Sequence, residues 1–68
     1  MEWLTKFPQG VSIDIRVVFP GEYRIGYRYA NIQYIPGFPH YYPFEEAMRR
    51  CWEAFNERFP QAITEHAR

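Results

Sequence analysis

The strongest constraint on what this chain can fold into is a strict alternation over residues 11–19. Val11, Ile13, Ile15, Val17 and Phe19 alternate with Ser12, Asp14, Arg16 and Val18. A period of two in a run rich in β-branched residues predicts a strand with one apolar face. Pro20-Gly21 marks a turn. A second alternation follows, with Tyr23, Ile25, Tyr27 and Tyr29 set against Arg24, Gly26 and Arg28. The apolar faces of the two strands must match, because a one-residue slip sends every side chain to the wrong side. A three-residue loop, Pro20-Gly21-Glu22, meets that condition. It pairs Phe19 with Tyr23, Val17 with Ile25, Ile15 with Tyr27 and Ile13 with Tyr29. Asp14 then faces Arg28 on the outer face, a pair worth roughly 0.2–1 kcal/mol. A two-residue loop would pair Val17 with Arg24 and break the faces. At Ala30-Asn31 the alternation changes phase, so a turn or a bulge is expected there. Ile32 and Tyr34 carry the apolar parity of a short third strand over 31–35.

A bare hairpin is not stable in water, so this sheet needs a cover. Residues 43–59 supply one. Phe44, Met48, Cys51, Trp52, Phe55 and Phe59 form an apolar stripe at helical spacing. Pro43 suits the first helical position, and Glu45 and Glu46 sit near the positive end of the helix dipole. Glu45–Arg49 and Glu46–Arg50 are spaced as i,i+4 ion pairs. Pro60 ends the helix, and residues 60–68 form a C-terminal turn or two that packs Ile63. Residues 1–10 read as an arm carrying Trp3, Leu4 and Phe7, broken by Pro8 and Gly10. A short strand and a position across the core edge both suit it. With 68 residues the chain is one domain. The fold class is α+β: a two- or three-stranded antiparallel sheet packed on one amphipathic helix, in the order ββ(β)α.

Charge and side-chain chemistry narrow the function. Eight basic residues balance eight acidic ones, which argues against a strongly basic nucleic-acid binder and an acidic mimic of one. The lone Cys51 forms no internal disulfide, which favours a reducing compartment. No apolar run nears the ~20 residues that span a membrane. The first residues lack the basic start and apolar middle of a signal peptide, so the expected location is the cytoplasm. His40, His66 and Cys51 fall in no ligand spacing, so neither metal nor cofactor is expected. Cys51 lies on the apolar stripe, where a thiol behaves as a small hydrophobe. Ser12, Thr5 and Thr64 stand in no nucleophile context, and adjacent Glu45 and Glu46 diverge on a helix. The chain is therefore expected not to be an enzyme.

Residues 36–43, Pro-Gly-Phe-Pro-His-Tyr-Tyr-Pro, form the most unusual stretch. Three prolines in these eight positions exclude helix and central strand. The stiff loop presents Phe38, His40, Tyr41 and Tyr42 at low entropic cost, and rings held this way suit a protein interface. Tyr41 and Tyr42 are adjacent, so only one of them is expected to point inward. Arg24 and Arg28 are candidate anchors on the sheet. A second reading uses Arg16, Arg24 and Arg28, on the outer sheet face, to hold single-stranded nucleic acid. A homodimer or other homo-oligomer joined through open sheet edges or helix faces is the third.

Pro36, Gly37, Phe44, Glu45, Glu46, Ala47, Glu53 and Ala54 carry a resemblance. Together with the preceding hairpin, residues 11–59 resemble the small ββ(β)α antitoxin domain of HicB-type proteins. In that family a strand ends in a Pro-Gly turn and a helix opens with hydrophobic-Glu-Glu-Ala. His40, Tyr41, Tyr42 and Pro43 stand here in place of the family's Gly- and Asp/Thr-containing stretch. The resemblance implies a small protein that works by covering another macromolecule. Inhibitors encoded by phages and mobile elements fit the same description. The expected function is thus to bind and inhibit a protein partner.

Overall fold

A computed structural model describes residues 2–68. In chain order the elements are α1 (Glu2–Lys6), β1 (Ser12–Phe19), β2 (Glu22–Tyr29), β3 (Ile32–Tyr34), α2 (Phe44–Arg58) and α3 (Pro60–His66). The three strands form one antiparallel sheet in the order β1-β2-β3. Helix α2 lies across β2, which makes the fold α+β with two layers.

The hairpin register differs from the expected one. Ile13 pairs with Tyr27, Ile15 with Ile25 and Val17 with Tyr23, and Asp14 faces Gly26 instead of Arg28. Only Pro20 and Gly21 stand between Phe19 and its partner Glu22. A two-residue loop does not break the faces here, because the pairing shifts between Val17 and Phe19. The extra residue, Val18, restores the parity upstream. It also turns Phe19 onto the side of Glu22 and Arg24, away from the core. Arg28 still reaches Asp14, now diagonally, at 3.5 Å. Arg16 stands directly opposite Arg24.

The phase change at Ala30-Asn31 is a two-residue turn. Both residues have positive φ, 51° and 64°, the backbone that matches the right-handed twist of paired strands. Tyr29 then pairs with Ile32, and Tyr27 with Tyr34.

The core lies between β2 and α2. Ile25, Tyr27, Ala47, Met48, Cys51, Phe55 and Phe7 are buried. Phe55 is its centre, with its ring 5.2 Å from Tyr27, 5.3 Å from Tyr29, 5.1 Å from Phe59 and 5.7 Å from Phe7. The arm is not a strand: residues Glu2–Lys6 form a helix packed at the core. Its helix α1 leads Phe7 into the core, and Trp3 Nε1–H donates to Glu45 at 2.9 Å. That contact replaces the expected Glu45–Arg49 pair, and Arg49 bonds Glu53 instead, at 3.2 Å. The Glu46–Arg50 pair forms, at 2.9 Å. Pro43 is the N-cap of α2, with φ −56° and ψ 154°, one place earlier than expected. Phe59, at φ −127° and ψ 58°, breaks the helical path, and Pro60 opens α3. His66 Nε2 lies 2.8 Å from the Thr5 carbonyl, tying α3 to the arm. Among the described residues no helix is long and apolar enough to cross a membrane.

Candidate partner-binding surface

The segment 36–43 leaves the end of β3 and returns to the same sheet. Tyr23 N–H donates to the Tyr42 carbonyl at 2.8 Å, and Tyr42 N–H to the Tyr23 carbonyl at 3.0 Å. Two tight turns fold the segment between these anchors. Phe38 N–H bonds the Ile35 carbonyl at 3.2 Å, and His40 N–H bonds the Gly37 carbonyl at 2.8 Å. Gly37 has φ 78°, and a Cβ there would lie 2.8 Å from Tyr42 Cε2. Only glycine gives both the left-handed turn and room for that ring.

Strand alternation then sorts the two tyrosines. Tyr42 sits opposite Tyr23, packs against the core and carries the Arg50 guanidinium 4.2 Å from its ring centre. Tyr41 points to the other face of the sheet. There the Arg24 guanidinium lies 4.5 Å from the Tyr41 ring centre and 4.8 Å from that of Phe38. Arg24 also donates from Nη2 to the Pro39 carbonyl at 3.0 Å. Phe19 meets Tyr41 edge-on at 6.3 Å. The three rings stay open to solvent: Phe38 is 62% exposed, Phe19 56% and Tyr41 37%. Between them the Nε–H of Arg24 is buried without a hydrogen-bond partner.

A hollow of about 340 Å³ continues from this cluster along the outer face, lined by Asp14, Arg16, Arg24, Arg28, Gln33 and Phe38 among others. Gly26 forms part of its floor. A Cβ on Gly26 would lie 2.6 Å from the Tyr34 carbonyl and 2.7 Å from Ile35 Cγ1, so the missing side chain lets Ile35 lie close against β2. Three arginines and one aspartate give the hollow a positive balance, and Arg28 is committed to Asp14. A second hollow, about 450 Å³, opens between β3 and α2 beside Tyr27, Tyr34 and Arg58.

Two titratable side chains, Cys51 and Tyr27, are buried in the core. Burial pushes the Cys51 thiol up to about 12, with a smaller push in the same direction from the Asp14 charge. Burial also raises the phenol of Tyr27. Neither is a nucleophile at neutral pH. Among the described residues no group of three His, Cys, Asp or Glu side chains is placed to hold a metal ion.

Of the residues singled out from the sequence, the structure gathers Phe38, Tyr41 and Arg24 at one point. Arg16 and Arg28 stand beside them along the hollow. His40 is exposed at the loop tip, and Tyr42 is turned to the helix side. Alternation alone puts Phe19 on the core face, and only the bulge at Val18 brings it to this cluster. No protein-family model, curated protein or solved structure matches the chain.

Proposed function

We propose that the chain is a small non-enzymatic protein that binds, and by covering inhibits, a protein partner. The observation that supports this most is the exposed cluster of Phe19, Phe38 and Tyr41 around Arg24. A chain with so small a core gains stability from every ring it buries, yet these rings stand on the face away from the helix. Tyr and Arg dominate interface hot spots, and rings on a pinned loop lose little entropy on docking. Inhibition by covering is the mode that the HicB-type resemblance implies. This reading places the protein in the cytoplasm, where a lone thiol such as Cys51 stays reduced.

The test is affinity capture from nuclease-treated host lysate. The intact chain should retain a stoichiometric protein, and Phe38→Ala with Tyr41→Ala should lose it while keeping the native circular dichroism spectrum. Equal capture by the variant would remove the cluster from the interface. The second reading, single-stranded nucleic acid, draws on Arg16, Arg24 and Arg28 lining one hollow next to exposed rings. It predicts capture that disappears with nuclease, falls steeply with salt and is abolished by replacing those arginines with Glu.

A further inference from the structure

β1 is the outer strand of the sheet, so one side of its backbone is left without a strand partner. Its core-facing side chains are poorly covered too, because α2 lies across β2. Ile15 is 43% exposed and Val17 is 59% exposed. An extended edge beside an apolar strip is a template for strand addition.

We propose that the occupant of this edge is a second copy of the chain, with the two β1 strands antiparallel about a two-fold axis at Ile15. The charge pattern selects this register. Partners in a sheet must share a face, so a copy of β1 can be centred only on a residue or shifted by whole pairs. Centring on Asp14 sets two carboxylates face to face, and centring on Arg16 sets two guanidinium groups face to face. Like charges directly opposite are destabilising. Centring on Ile15 places Asp14 of each copy opposite Arg16 of the other. On the apolar side it places Ile13 opposite Val17, and Ile15 opposite itself. Ser12–Val17 precedes the irregularity at Val18, so the paired stretch is regular. The result is a continuous six-stranded sheet in which the half-exposed Ile15 and Val17 gain apolar neighbours. Arg24 on β2 and the loop rings Phe38 and Tyr41 are separated from the axis by β1, whereas Phe19 lies on β1 itself, so the dimer carries two copies of the loop part of the candidate surface.

Sedimentation equilibrium of the intact chain tests this directly. The expected mass is twice the 8.3 kDa of the single chain. Asp14→Arg alone and Arg16→Asp alone should each raise the dimer dissociation constant roughly tenfold, since each replaces two opposite-charge pairs by like-charge pairs. The double exchange, Asp14→Arg with Arg16→Asp, should restore it. Rescue requires that position 14 of one copy face position 16 of the other, which a purely structural role of either residue does not produce. Hydrogen exchange gives an independent measure. Alternate amides within Ile13–Val17 should be protected at high concentration and lose that protection on dilution. A monomer at all concentrations, a dimer unmoved by the single exchanges, or no rescue by the double exchange would overturn the proposal.

Discussion

Cys51 shows how burial sets the chemistry of a single residue. Its ordinary pKa of 9.0 applies to the unfolded chain, and folding raises it to about 12. Below pH 9.0 both states hold the proton and the thiol leaves stability unchanged. Above it the unfolded chain ionises first, so stability falls as pH rises toward about 12. Each unit of that window is worth about 1.4 kcal/mol at most. Denaturant midpoints measured from neutral pH upward should therefore hold level to the ordinary thiol pKa and then decline. Tyr27, also raised by burial, contributes to the same decline. Cys51→Ala should make the decline shallower, and an unchanged slope would show that the thiol is not the group responsible. The same desolvation explains why reading this residue as a small hydrophobe agrees with the structure.

At the scale of elements, two irregularities carry more consequence than the regular stretches. The extra residue Val18 reverses the side that Phe19 faces, and so supplies the third ring of the exposed cluster. The turn between β2 and β3 holds Ala30 at φ 51°, a left-handed backbone that costs an alanine roughly 1–2 kcal/mol. Asn31 tolerates the same region better. Ala30→Gly should relieve the strain, offset in part by the greater freedom of glycine in the unfolded chain. The expected gain is below about 1 kcal/mol, read as a rise of a few degrees in the thermal midpoint. A lower midpoint would mean that Ala30 makes contacts worth more than its strain.

For the whole molecule, the division of labour among the aromatic residues is what matters. Stability of roughly 0.05–0.15 kcal/mol per residue gives a chain of this length only about 3–10 kcal/mol. Truncating a buried phenylalanine costs about 3–5 kcal/mol. Phe55→Ala, which removes the ring that four others touch, should leave the protein largely unfolded at room temperature. Phe38→Ala should shift the melting curve little, because that ring is mostly in solvent. Circular dichroism melts of the two variants separate the rings that hold the fold from those left free for a partner. If both unfold alike, the outer cluster is part of the structural core.

The chain by itself determined the three strands and α2. Period-two alternation marked β1 and β2, the phase change marked the turn at Ala30-Asn31, and the helical stripe marked α2 and its buried face. These are local patterns, written in consecutive side chains, and local physics is enough to read them. The helix at the N-terminus is not legible in the sequence because five residues carry too little periodicity, and its placement depends on Phe7 finding Phe55 far along the chain. The strand register, the diagonal Asp14–Arg28 pair and the position of Phe19 all turn on one bulge, which alternation alone does not reveal. Which of Tyr41 and Tyr42 faces outward was likewise left to the fold. Backbone pairing of Tyr42 with Tyr23 settles it, and that pairing joins residues far apart in sequence. Tertiary structure decided these points because each is a long-range geometric choice between arrangements that satisfy the same local pattern.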